Sequence, residues 1–349
     1  MKKPIFFLAT VSLSFCFLEP LFAQNVQNGA SSGKKTNALS FSIEAKAGAR
    51  LGVYDEIVWA KKSTNGERYK ESELNYQTLP VFYAGIDFAV SYKRLNLSLL
   101  SKFFFAQKSG TLKDSDWRND AYCKNGDTST KTDYSEHDLF LLDKAAGIAG
   151  YDIELESGLE FHPARFLTLE PLFSFNAQYM SFSAKNGMGW YGLYDSKNNS
   201  IASYDSAGSS HVYNFDGKTV LEYEVYNLFF WTGLRAKFDA LSWLRVELAS
   251  EVAPFSIFLD FDRHLTNHGD YKEISCSAFY AFRQTVKAEF KIKKWLSICQ
   301  KSSFVFSGPS EGEMQYKKSE DSSYSKVANN SGGGALIALD LELSVKFSW

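Results

Sequence analysis

Cysteine is almost missing from this chain. Of four in 349 residues, Cys16 lies in an amino-terminal leader, and Cys123, Cys276 and Cys299 form an odd, widely spaced set that suits neither a disulfide framework nor a metal site. The histidines are scattered without ligand spacing, so no metal is expected. Charge of one sign is also lacking: Lys+Arg 38 against Asp+Glu 40 leaves a net charge of −2, too little field to draw the chain to nucleic acid. After residue 23 no apolar run approaches the ~20 residues a membrane helix requires, which excludes a helical membrane protein. No Gly-x-Ser-x-Gly elbow or phosphate loop occurs, and Gly332-Gly333-Gly334 opens a strand where a phosphate loop needs a helix.

What the chain has in excess is aromatic residues, 16% against only 7 prolines and 4 methionines, a bias toward side chains that favour strands. Lys2 and Lys3, an apolar stretch from Ile5 to Leu18, a break at Glu19-Pro20 and the small Ala23 read as a secretory signal peptide, residues 1–23. Residues 24–38, rich in Asn, Ser, Gly and Lys, read as a flexible amino-terminal segment, and 39–349 as one domain.

That domain alternates. Leu339, Leu341, Leu343, Val345, Phe347 and Trp349 interleave with Asp340, Glu342, Ser344, Lys346 and Ser348, and the same period of two runs through 41–53 and 274–292. Charges on the second face mean a polar interior behind an apolar exterior, which describes a membrane barrel and not a soluble sandwich. Four short turns, at Lys93-Arg94-Leu95-Asn96, His162-Pro163-Ala164-Arg165, Asp239-Ala240-Leu241-Ser242 and Lys293-Lys294-Trp295, interleave with longer polar stretches near 61–66, 113–135, 185–217, 263–270 and 319–333. This threading predicts an all-β fold, a closed antiparallel transmembrane β-barrel of about ten strands, with its lumen filled by side chains.

Polar clusters gather at the loop ends of the strands. Asp114 and Asp116 lie two apart in phase with Asn96, Ser98 and Lys102, so both point inward. Asp260, Asp262 and His264 share one strand face, a spacing that lets Asp262 orient the imidazole. The outward residues of that strand change from even (Leu244, Val246, Leu248) to odd (Phe255, Ile257, Leu259), which predicts a bulge near Pro254. Glu56 lies on the polar face of the first strand with Glu44 and Arg50.

In combination these motifs resemble the omptin family of outer-membrane endopeptidases. Asp114, Asp116 and Trp117 match its Asp-x-Asp-Trp; Asp260, Asp262 and His264 match its Asp-x-Asp-x-His; Glu56, Val58 and Trp59 match its first-strand Glu-x-Val-aromatic, and Ser72, Leu74 and Tyr76 the Ser-x-Leu-x-aromatic that follows; Thr132, Asp133, Ser135 and His137 match a fifth. The resemblance implies a ten-stranded barrel in the bacterial outer membrane with its active site facing outward. It implies catalytic Asp114, Asp116, Asp262 and His264 acting on water without a covalent intermediate or cofactor, and Glu56 and Asp260 as an acidic pocket for Arg or Lys. Peptides or proteins with basic residues are then the substrates, and an outer-membrane lipid, lipopolysaccharide in the family, is the expected partner. A catalytically silent barrel serving as adhesin or structural protein is the alternative, and a narrow channel a third.

Overall fold

The computed structural model describes residues 39–61, 68–118, 135–142, 148–185, 188–190, 194–195, 200–201, 212–214, 217–265, 268–318, 320–321 and 323–349, with backbone alone at 116–118, 135–142, 188–190, 194–195, 200–201, 212–214 and 329. The signal peptide and residues 24–38 lie outside them, as do Cys123, Thr132 and Asp133.

Ten long strands follow one another: β1 (Leu39–Lys61), β2 (Arg68–Tyr92), β3 (Leu95–Gln107, continued by Leu112–Arg118), β4 (Ser135–Leu142, then Ile148–Leu159) and β5 (Leu167–Lys185). Then come β6 (Thr219–Leu241), β7 (Leu244–His264), β8 (Gly269–Ser277, then Ala281–Lys293), β9 (Leu296–Ser307, then Gly312–Lys318) and β10 (Ser325–Ser348). Each pairs antiparallel with its neighbours in sequence, and β10 pairs with β1 from Ser42↔Ser348 to Ala60↔Asn330. The ring is therefore closed, which leaves no sheet edge exposed.

Alternation decides which side of the wall each residue takes. Around the half nearest the short turns, the outer face carries Phe41, Phe82, Phe88, Leu97, Leu99, Phe103, Leu155, Phe173, Ile298, Leu341 and Leu343, all exposed, with Tyr92, Trp243, Trp295 and Trp349 at the turn end. A soluble protein would pay heavily to wet such a belt, whereas hydrocarbon accepts it. The inner face is charged and paired. Arg50 donates to both oxygens of Asp340 at 2.7 and 2.9 Å and to Asp152 at 3.0 Å. Arg283 forks between Glu251 and Glu154 at 2.6–2.7 Å, and Lys287 reaches Glu44 at 2.6 Å. Removing one partner of a buried pair of this kind costs about 3–5 kcal/mol, so the lumen network discriminates strongly against a slipped register.

These side chains line a cavity of about 260 Å³ that stops at the level of Arg50, Arg283 and Val305. Above it the lumen is packed by Tyr54, Tyr83, Phe104, Phe229 and Trp231, with the Arg50 guanidinium 4.8 Å from the Phe104 ring and that of Arg283 5.0 Å from Trp231. This aromatic tier separates the charged lower lumen from the polar residues at the loop end and argues against the channel reading.

Two expectations meet the structure in detail. Phe230 pairs with Phe255 but Thr232 with Val252, so β7 carries one extra residue beside Pro254, and the buried positions change from Ala249, Glu251 and Ala253 to Ser256, Phe258, Asp260 and Asp262. The bulge is where the phase change requires it. The polar stretch placed at 319–333 is corrected: β10 begins at Ser325, and Gly332, Gly333 and Gly334 pair with Val58, Ile57 and Glu56 inside it. The part that was missed, Ser325 to Ser331, is mostly small and polar and carries no apolar alternation, so the strand starts seven residues before the glycines that seemed to open it. The reason for glycine is space, because a Cβ at Gly332 would sit 1.9 Å from the Glu273 carboxyl carbon and one at Gly334 2.1 Å from the Phe258 ring.

Candidate active site

Above the aromatic tier, and beyond the exposed apolar belt, the inward positions of the strands become acidic. On one wall a row of paired residues runs from Gly334 on β10 through Glu56 on β1 and Leu74 on β2 to Asp114 on β3, and the next inward row up runs through Val58, Ser72 and Asp116. Paired residues share a face, so the matched motifs of three strands adjoin because the register aligns them. Asp114 keeps the inward phase of lower β3 across the interruption at 108–111, where Gly110 adopts a φ of +65°. Asp116 occupies the next inward register position; its side chain lies outside the described residues, as does that of His137 on β4.

On the other wall, β7 carries Asp260 and Asp262 inward, 0% and 2% exposed. His264 Nε2 meets Asp262 Oδ2, and the imidazole lies edge-on to Tyr271 with ring centres 5.3 Å apart. The two walls meet around Glu56 and Tyr76. Burial pushes the Glu56 carboxyl well above its usual range, and the charges of Asp262, Glu273, Asp260 and Asp114 push it further. Burial also raises the Tyr76 hydroxyl, again with Asp262, Glu56, Asp114 and Asp260 acting on it. Asp114 and Asp262 thus act on the same two groups from opposite sides.

A model of the Omptin family matches residues 37–349. The chain belongs to that family. The fold resembles the crystal structure of the outer membrane protease OmpT from Escherichia coli, with a TM-score of 0.69 and 12% identity over 91% of this chain and 100% of that one. Two more distant barrels are the outer membrane protein OprG from Pseudomonas aeruginosa (TM-score 0.33, 7% identity, 90% and 97% covered) and the Ralstonia pickettii toluene transporter TbuX (0.29, 9%, 92% and 92%), too remote in shape to carry an argument. No curated protein sequence matches the chain. Omptin membership supports a protease in the outer membrane.

At this candidate site the carboxylates of Glu56 and Asp260 lie close together, with a third acid that the motifs did not indicate. Glu273 on β8 pairs with Asp260, is 0% exposed, and its carboxyl lies so that one oxygen from each of Glu56, Asp260 and Glu273 falls within 4.8 Å of the other two. The signal was present: Ile274 and Cys276 are outward, which puts Glu273 inward, and a hairpin turning between His264 and Gly269 brings it opposite Asp260. Tyr223 supports the group by donating its hydroxyl to Asp260 at 3.0 Å and stacking on Tyr76 at 4.2 Å. Such an all-carboxylate triad suits a hard cation or the charged end of a basic side chain. A second triad, Glu154, Glu156 and Glu251 in the lower lumen, already receives Arg283 and Arg235.

The acids also set a pH dependence. Burial, with Asp260 and Asp262 beside it, raises Glu273 far above its usual range; burial and Asp262 raise Asp260 against the opposing hydrogen bonds from Tyr223 and the Glu273 amide. An unfolded Glu ionises near pH ~4.3. The stability these groups contribute is full below that value and is lost as pH rises through their elevated folded values. The midpoint of heat modification, read by gel mobility, is expected to fall as pH rises above that unfolded value, and Glu273→Gln to flatten the curve. A wild-type midpoint independent of pH would contradict the cluster.

Proposed function

We propose that this chain is an outer-membrane endopeptidase that cleaves peptides or proteins beside Arg or Lys, with its active site on the extracellular side and a water molecule as nucleophile. The observation that carries this reading is the Asp262–His264 pair set across Glu56 and Tyr76 from Asp114. With Nε2–H donated to Asp262, the imidazole carries its lone pair on Nδ1, which takes a proton from water as the water attacks the scissile carbonyl. Asp262, buried against the ring, stabilises the imidazolium that results. Asp114, with Asp116 one inward position further up, holds the water from the other side and, when one of the pair is protonated, donates to the oxyanion. His264 then returns the proton to the leaving amine.

Specificity in this reading comes from the acid cluster. A buried carboxylate without a cation is costly, so a guanidinium or ammonium that enters the cluster gains what a neutral side chain cannot. The full mature chain, refolded in detergent, should cleave members of a peptide library that contain Arg or Lys and spare those that contain neither. Adding lipopolysaccharide to one arm tests the lipid requirement the family implies. No cleavage in either arm, with the barrel folded by heat modification, would favour the silent adhesin or structural barrel.

A further inference from the structure

Three carboxylates meet in the pocket, but they are not equally occupied. Asp260 has a donor on each oxygen, the Tyr223 hydroxyl on Oδ2 and the Glu273 backbone N–H on Oδ1, both at 3.0 Å. Among the described residues, Glu56 Oε2 and both oxygens of Glu273 accept no hydrogen bond in good geometry, although the side chains are 2% and 0% exposed; the Gly333 backbone N–H points at the Glu273 carboxyl from the wall and offsets a small part of its burial. No described Lys or Arg is paired with any of the three. Room for Glu273 has been made by Gly332, since any side chain there would overlap the carboxyl.

Resting on the proposed specificity for basic residues, we infer that Glu273, together with Glu56, is the group that contacts the substrate's cationic side chain, and that Asp260 is a positioning residue that holds Glu273 and Tyr223 in place. The physical ground is the asymmetry of hydrogen bonding. An acceptor left unpaired in a buried site recovers the cost of its desolvation when a donor arrives, whereas an acceptor already served gains little. A guanidinium offers five N–H donors and an ammonium three, enough to serve the three orphaned oxygens together. Asp260, by contrast, acts through what it holds: the amide at residue 273, which sets where that side chain emerges, and the Tyr223 ring stacked beneath Tyr76.

The test uses benzamidine as a guanidinium-like probe, measured for binding by calorimetry on the refolded full chain, alongside kcat and KM for paired peptides with Arg or Gln at the scissile position. Glu273→Gln is expected to weaken benzamidine and to cut the Arg-over-Gln ratio by about 10-fold or more, chiefly through KM. Gly332→Ala leaves every charge in place yet drives a methyl into the Glu273 carboxyl, and it should weaken the probe likewise. Asp260→Asn, in protein that still shows heat-modifiable mobility, should weaken it less than Glu273→Gln. The inference is overturned if Glu273→Gln changes benzamidine affinity and the Arg-over-Gln ratio by less than twofold, or if Asp260→Asn exceeds it in both. A wild type indifferent to Arg and Gln would instead remove the proposed specificity, and benzamidine binding lost on Glu273→Gln would still support the pocket itself.

Discussion

Replacing His264 with alanine is expected to lower turnover of an Arg-containing peptide by ~10²–10⁴-fold, the range general-base catalysis supplies. The peptides that bind should not change, because the side chain lies on the strand face above Asp260 and outside the triad formed by Glu56, Asp260 and Glu273. Asp262→Asn should follow in direction, since an amide can hold the ring in the wrong tautomer and cannot stabilise an imidazolium. The measurement is single-turnover cleavage at saturating peptide, paired with competitive binding of an uncleaved analogue. Undiminished turnover by the His264→Ala protein would remove the mechanism while leaving the pocket untouched.

The second large effect concerns the side chain at the cleavage site. Leaving a buried charge without its partner costs ~2–5 kcal/mol, so an Arg peptide should outrun its Gln counterpart by at least ~30-fold in kcat/KM. Glu56→Gln should shrink that ratio, because Glu56 lies within reach of both Asp260 and Glu273 and keeps one oxygen unserved among the described residues. Equal rates for the two peptides would show that the cluster is structural and that substrates are chosen by other means.

Much of this was legible in the sequence for a definite reason. Alternation is a one-dimensional record of which side of a wall a residue takes, so the belt, the charged lumen, the strand order and the phase change at Pro254 could all be read from spacing. Asp114, Asp262 and His264 were legible as motifs because each pair lies on a single strand. Glu273 was not, since its partners stand on β1 and β7 and only strand register brings them together. The start of β10 was drawn too late because Ser325 to Ser331 carry no apolar alternation, and what Gly332 is for, the space it leaves to Glu273, shows only in three dimensions. Asp260, read by analogy as a substrate-binding acid, shows its hydrogen-bond partners only in three dimensions.

The closure of β1 on β10 bears on when the protease comes into being. Ser42 meets Ser348, and Glu56 faces Gly334, so the seam joins the first and last strands of the domain and runs directly through the candidate active site. Contacts this distant in sequence form late, since loop closure must be met before they give anything back. Until β10 is laid against β1, Glu56 stands apart from the glycines that make room for Glu273 opposite it. The pocket is therefore complete only once the seam between β1 and β10 has closed, and a partly assembled barrel holds the acids of β7 and β8 without the wall that Glu56 completes.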